Sequence, residues 1–471
     1  MNKAKKLIAM LLAGTMVVSA GAPVFAANED APPEMMGEIR NILKQAYVEE
    51  IPEEKLAKST IDEILEGYQD PYTVYQTREQ YEDFIDGIEN EFSGIGVYIE
   101  MIEQGMMITS PIEGSPAKKA GLKEGDIIIG AGGYDLKGAS YAEAAAKTMG
   151  EPGTKVMLKI KRGEEIFELE VTRAKIQVPE VTHEVLDNHI GYVDINTFGN
   201  ETPKHFGDAV EALKKENVDS WIFDLRSNGG GYLWAARVLA GYFVDSKKVV
   251  VIKGREGESA ETGVNLGDIG DGKVIVLINP YSASASEVLS GALKDYQKAT
   301  FVGNLSFGKG SVQVMYPLSN NDMLKVTIDH FYSPNKNTIN HVGVEPDINT
   351  RGFDALEVAK MLLSGDSTDM MDPRYKIGPQ NFYIDDKLMR NEESFEMYAK
   401  LFQDDEFNYI DKTRIETLRD RWVKAKILGN IEDQTKWKNE IEKIRKAKGL
   451  EGEDPFFAEI SAKAESEEMA E

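Results

Sequence analysis

The chain has 471 residues, 42% hydrophobic and 28% charged; this suits roughly three globular domains and excludes collagen-like, low-complexity and wholly disordered readings. A net charge of −26 argues against binding nucleic acid or an anionic membrane through a general basic surface. There is no cysteine, so thiol nucleophiles, disulfides, zinc fingers and iron–sulfur clusters are excluded, and a nucleophile must be Ser, Thr, Lys or a carboxylate.

Lys3, Lys5 and Lys6 precede an uncharged run from Leu7 to Ala22, and Val24-Phe25-Ala26 follows. This pattern predicts a secretory signal, residues 1–26, cleaved after Ala26, and hence an exported, extracytoplasmic protein of the cell envelope or medium. An uncleaved anchor is the alternative, and the only route to a membrane, because the run is nearly long enough to span a bilayer. An exported protein has no assured ATP supply.

Residues 27–90 predict a helical region. Ile39, Ile42, Leu43, Ala46 and Tyr47 share one face, Ile61, Ile64, Leu65 and Tyr68 another. Pro52 and Asp70-Pro71 punctuate them.

Residues 91–175 change to short β-like runs (Ile95–Ile99, Met106–Ile108, Ile127–Ile129, Val156–Ile160, Ile166–Val171) with a helix-like stretch at Tyr141–Met149. Phe92-Ser93-Gly94-Ile95-Gly96-Val97, the SPAxxAGLxxGD run from Ser115 to Asp126, and late strands ending near Arg173 together resemble a PDZ domain. Glycines at a strand start leave backbone N–H groups able to cradle a carboxylate. The following strand edge can take an extended peptide by β-augmentation. Gly94, Ile95, Gly96 and Val97 are therefore the expected peptide-binding residues.

Residues 176–350 alternate strands (Ile190–Ile195, Trp221–Leu225, Val249–Lys253, Lys273–Asn279) with helices (Thr202–Glu216, Ser284–Lys294), which predicts an α/β core with a partly parallel sheet. Residues 351–471 read as helical, with Trp437, Ile441 and Ile444 as an apolar stripe and an acidic, frayed tail from Glu451. Dimerisation, giving a homo-oligomer, and capping of the core are the two roles open to this block.

Three segments of the core carry chemistry. Asp224-Leu225-Arg226-Ser227-Asn228-Gly229-Gly230-Gly231 exposes backbone N–H groups of the kind an oxyanion hole needs. Tyr281-Ser282-Ala283-Ser284-Ala285-Ser286-Glu287 puts serines where a buried strand turns into a helix, the usual ligand position in open α/β sheets. Ser284 and Glu287 also have the spacing of a capping box, a purely structural alternative. Ser306-Phe307-Gly308-Lys309-Gly310-Ser311-Val312-Gln313 sets a lysine between glycines. Gly303 to Lys309 fits the GxxxxGK of a phosphate loop, but Gly310 stands where that loop needs a magnesium-binding hydroxyl.

A serine needs a neighbouring base to become a nucleophile. The five histidines form no readable triad, and a lysine can serve if burial keeps its amine neutral. Spacing alone does not choose among Ser282, Ser284 and Ser286.

Together with Val342-Gly343-Val344-Glu345-Pro346-Asp347-Ile348, these segments resemble the C-terminal processing peptidases, also called tail-specific proteases, over residues 35–350. The resemblance implies α/β and α+β multidomain architecture: a crotonase-like (ClpP-like) αβ protease core with an inserted PDZ domain and helical N- and C-terminal regions. It implies endoproteolysis near substrate C-termini by a Ser–Lys dyad, with Ser284 as nucleophile, Lys309 as general base and Gln313 positioning the lysine. It further implies an oxyanion hole from Ala285 and Gly230 or Gly231, and site support from Asp224, Arg226, Glu287 and Asp295. Substrates would be proteins or peptides with apolar C-terminal tails, bound and gated by the PDZ domain. No cofactor, metal or nucleic acid is called for. Two alternatives are a catalytically silent PDZ peptide-binding scaffold and a penicillin-recognising enzyme. For the latter, Ser115-Pro116-Ala117-Lys118 fits S-x-x-K, but no S-D-N or K-T-G accompanies it.

Overall fold

The computed structural model describes residues 35–65, 70–112, 114–365, 374–385, 391–402, 409–427, 430–447, 450, 454–457 and 460. The expected signal segment, Tyr68 and nearly all of the acidic tail lie outside them. Among the described residues, no helix is long and apolar enough to cross a membrane.

The central sheet has six strands in the spatial order Val181–Leu186, Ile190–Ile195, Ser220–Asp224, Lys273–Ile278, Thr300–Gly303 and Ile348–Asn349. The first pair is antiparallel and every later pair is parallel. Its strands are apolar on both faces because both faces are covered. Trp221, Phe223, Val274 and Val276 pack under the helices Thr202–Lys215, Leu233–Val244 and Ala285–Asp295 through Phe206, Leu239 and Leu289. The alternate residues Ile222, Ile275 and Leu277 pack under the helix Ala355–Leu362. The period of two along each strand thus divides one apolar run between two cores.

The strand Lys248–Gly254 departs from expectation. It belongs to a second, antiparallel sheet with Gly257–Thr262, Ser311–Pro317, Met323–Tyr332 and Val74–Gln76. The N-terminal region is therefore not purely helical. Val74–Gln76 pairs with Met323–Lys325, and the apolar face of the helix Met36–Ala46 packs Ile39 and Leu43 onto Leu324 and Val326. Its helices bury their stripe against a strand, Met323–Tyr332, that lies far along the sequence, which periodicity cannot report.

Residues 97–172 form a separate small sheet in the order Val97–Ile102, Gly105–Pro111, Ile127–Ala131, Lys155–Arg162, Glu165–Thr172, with the helix Tyr141–Thr148 against it. The SPAxxAGLxxGD run has a local reason. Ser115 caps a short helix by accepting the Lys118 N–H at 3.2 Å. The buried Asp126 carboxylate accepts the Lys123 N–H at 2.8 Å and pairs with Arg162 at 2.7 Å. The chain enters and leaves this unit through two paired segments, Glu91–Gly94 and Ala174–Gln177.

Beyond residue 351 the expected helices form, but a β-hairpin, Arg374–Ile377 with Gln380–Tyr383, interrupts them. The last two long helices, Tyr409–Ile427 and Ile431–Ala447, share a small core of Ile415, Leu418, Ile441 and Phe457, with Trp437 and Ile444 packed on it.

Candidate active site

The buried strand Lys273–Ile278 delivers the chain to Ser284, which has φ 56° and ψ −111° and begins the helix Ala285–Asp295. A non-glycine residue in this region is strained, and such strain persists only where the surroundings impose it. The three serines have different surroundings. Ser282 and Ser286 are fully buried and donate their hydroxyls to the carbonyls of Leu225 at 2.7 Å and Asn228 at 2.9 Å. Ser284 is half-buried and lines the large cavity described below. Gly230 (φ +105°) lies against it; a Cβ there would come within 2.8 Å of Ser284 Cβ and 2.9 Å of the Ala285 nitrogen.

Glu287, one turn into the helix, is wholly buried and ties two loops together. Its Oε2 accepts the N–H of Ser284 at 3.0 Å and of Lys309 at 2.8 Å. Its Oε1 accepts the Ser306 hydroxyl at 2.6 Å and the Gly308 N–H at 2.5 Å. The Phe307 N–H adds a bond to the Ser282 carbonyl at 2.9 Å. The serine and lysine segments are thus held side by side by one carboxylate, which also completes the capping box.

Burial pushes the Lys309 amine down to about 8, nearby Lys325 pushes the same way, and Asp70 and Glu287 oppose. In this arrangement Lys309 Nζ stands 4.7 Å from the ring centre of Tyr72, and no hydrogen bond joins it to Ser284 among the described residues. Gln313 donates its amide N–H groups to Ser311 Oγ at 2.8 Å and Thr327 Oγ1 at 3.3 Å, and no hydrogen bond joins it to Lys309 among the described residues.

The Gly230 N–H is likewise engaged, by Asn228 Oδ1 at 2.9 Å. Gly231 and Ala285 remain as the candidate oxyanion donors. Asp224 and Arg226 form a close pair at 2.5 Å; Asp224 also accepts the Tyr192 hydroxyl at 2.7 Å, and Arg226 reaches Asp354 at 3.4 Å. They brace the wall of the cavity. Asp295 does not support the site directly: it sits at the far end of the helix and accepts Asn335 N–H at 2.7 Å and Asn337 Nδ2 at 2.9 Å.

Ser284, Lys309, Gly230 and Gly231 open onto one cavity of about 4470 Å³ that continues to Ile95, Gly96, Val97, Tyr141 and Ala145. It is several times the size of a small-molecule pocket and suits polypeptide. Val97–Ile102 is an edge strand of its sheet, as β-augmentation requires. Among the described residues no group of His, Asp and Glu could hold a metal ion.

Residues 189–350 match peptidase family S41, and residues 93–172 match the PDZ domain. The chain is 34% identical over 375 residues to a protein of Staphylococcus aureus (strain MSSA476) described as "Probable CtpA-like serine protease", covering 78% of this chain and 75% of that one. A protein of the same description from Staphylococcus haemolyticus (strain JCSC1435) is 32% identical over 391 residues, covering 80% and 77%. The chain belongs to peptidase family S41. It is a serine-type C-terminal processing peptidase with a PDZ domain. Among solved structures it is similar to the photosystem II D1 C-terminal processing protease (TM-score 0.46, 27% identity, covering 71% of this chain and 98% of that one).

Sequence reasoning about this S41 peptidase missed Tyr72, Asp70 and Lys325, which surround Lys309. Asp70-Pro71 registers only as a turn, and Lys325 is an ordinary strand residue; neither spacing nor motif ties them to position 309. The Glu287 clamp yields a direct test. An amide can turn either way, but in both orientations its NH₂ faces two of the four donors. Glu287→Gln should therefore lose about 1–3 kcal/mol for each donor left unpaired. Urea unfolding should show this loss, with peptidase activity falling by about a hundredfold as the two loops separate.

Proposed function

We propose that the chain is an exported Ser–Lys endopeptidase that captures the apolar C-terminal tail of a protein substrate in its PDZ groove and cuts nearby. The observation that carries this reading is the single cavity shared by Ser284, Lys309 and the Val97–Ile102 edge. Export rests on the Lys3–Ala26 pattern.

In the proposed reaction the neutral Lys309 amine swings from the Tyr72 ring toward Ser284 and takes its hydroxyl proton as Oγ attacks the scissile carbonyl carbon. The C–O bond forms, and the carbonyl electron pair moves onto oxygen, facing the N–H groups of Ala285 and Gly231. Collapse breaks the C–N bond, and the Lys309 ammonium returns its proton to the leaving amine. Water, deprotonated by the same amine, then attacks the acyl carbon; the ester bond to Ser284 Oγ breaks, and the Lys309 ammonium returns the proton to that oxygen. Positioning of the lysine by Gln313, and gating by the tail, would accompany this swing.

The test uses a folded reporter with and without an apolar tail, together with short untailed peptides. Ala145 lines the groove and is only 8% exposed. Ala145→Trp should fill the groove. It is expected to raise KM for the tailed reporter by about tenfold or more, the loss of about 1.4 kcal/mol of tail binding, with kcat on short peptides unchanged. Equal cleavage of tailed and untailed reporter by the wild type would remove the tail-capture reading. Tail binding without cleavage of any substrate would favour the silent scaffold.

A further inference from the structure

The C-terminal helix Tyr409–Ile427 reaches into the loop that carries Lys309. Lys424 Nζ donates to the Phe307 carbonyl and lies 5.7 Å from the Phe307 ring centre. Asp420, one turn earlier, accepts the Leu305 N–H at 3.3 Å and Asn349 Nδ2 at 3.0 Å. Gly308 has φ +84°, and a Cβ there would press on the Gly343 nitrogen at 2.9 Å and on the Lys424 ammonium, so glycine lets the helix end and the loop approach this closely. The opposite side of the same loop is held by Glu287 through Ser306, Gly308 and Lys309.

We infer that Lys424 is a positioning residue for catalysis, its ammonium clamping the Leu305–Gly308 loop against the buried Glu287 carboxylate so that Lys309 is presented to Ser284. This makes the helical block beyond residue 351 part of the catalytic apparatus, and it rests on the assignment of Lys309 as the base. The loop is gripped from two sides by opposite charges, a cation at its Phe307 carbonyl and an anion at its Ser306, Gly308 and Lys309 donors. A misplacement of about 1 Å at such a loop costs on the order of a hundredfold in rate.

The charge also sets a pH signature. Lys424 faces Glu287, with Arg421 and His341 as neighbouring cationic or titratable groups and Asp433 beyond His341. Lys309 faces Lys325, Asp70 and Glu287. Burial also pushes the Lys424 amine down to about 8, so its cation is present along the acidic limb, while above it the neutral amine still donates to the Phe307 carbonyl. Removing the Lys424 cation makes protonation of Glu287 easier and, while Glu287 stays ionised, does not make protonation of Lys309 harder. Both effects move the acidic limb of kcat/KM to higher pH.

The experiment compares full-length wild type with Lys424→Met, Lys424→Gln and Lys424→Arg on a short peptide substrate across pH 6–10, with thermal unfolding of each. Lys424→Met is expected to lower kcat by about 10–100-fold with KM within about twofold, and to move the acidic limb upward. Lys424→Arg, which keeps the charge, should return the limb to its wild-type position. Lys424→Gln keeps an N–H donor without charge and carries the test if Lys424→Met does not fold. Wild-type kcat together with a wild-type acidic limb in Lys424→Met or Lys424→Gln would overturn the inference. Ser284→Ala and Lys309→Ala run in parallel: activity surviving in either would place the failure in the dyad instead.

Discussion

Ser284→Ala is expected to reduce peptide-bond cleavage by about 10⁴–10⁶-fold in kcat, with tail binding and thermal stability close to wild type. Ser282 and Ser286 cannot take over, because their hydroxyls are committed to buried carbonyls. Ser282→Ala and Ser286→Ala are thus the informative controls: each should cost stability, about 1–3 kcal/mol for the acceptor left unpaired, before it costs chemistry. The Ser284 backbone adds its own expectation. Its φ of 56° already carries strain of order 1–3 kcal/mol, so alanine, which accepts that region no better, leaves the strain in place while glycine relieves it. Ser284→Gly should therefore be inactive and yet more stable than Ser284→Ala. A fluorophosphonate probe should label the wild type and not either variant. Labelling of Ser284→Ala at another serine, with cleavage retained, would dethrone the assignment.

The second large effect is at Lys309. Lys309→Ala should match Ser284→Ala within about tenfold, and the double variant should be no worse than either single one, because residues that act as one unit are not additive. The pH dependence has a definite sign. The base works as the free amine, so the active fraction rises with pH and saturates above the lysine's pKa. Burial and the neighbouring Lys325 bring that value down to about 8. At pH 7 about a tenth of the molecules then carry a neutral amine, against less than about 0.1% for an ordinary lysine. Wild-type kcat/KM on a short peptide should climb about tenfold per pH unit up to pH 8 and level off above it. A profile still climbing at pH 10 would mean that Lys309 is not held in a desolvated pocket. A bell centred near pH 6.5 would point to a histidine.

The geometry of the resting site gives both experiments their context. Lys309 Nζ lies over Tyr72, Gln313 is engaged with Ser311 and Thr327, and the Gly230 N–H is taken by Asn228. In the proposed reaction Lys309 leaves the Tyr72 ring, whereas the Gly230 N–H stays with Asn228 and the oxyanion faces Gly231 and Ala285. Catalytic hydrogen bonds are often long or misaligned without substrate and tighten on binding.

Much was legible in the sequence because several signals are local. The capping serine and turn aspartate of the PDZ run, the strand-to-helix serine motif with its glutamate one turn on, and the glycine-flanked lysine each lie within a few residues of one another. Hydrogen bonds made within a turn leave a fixed spacing, and spacing is what a single sequence displays. The order of these motifs along the chain was sufficient for the family, the fold class and the kind of reaction.

Only the tertiary structure decided what depends on contacts between distant segments. It separated Ser284 from Ser282 and Ser286 by what their hydroxyls touch. It moved Lys248–Gly254 into a second sheet and brought Val74–Gln76 to its edge. It gathered Asp70, Tyr72 and Lys325 around Lys309 and set Asp420 and Lys424 on the loop before it. These residues carry no pattern of their own. A lone tyrosine, lysine or aspartate acquires its role from desolvation and from the charge beside it, and burial and proximity exist only once the chain has folded.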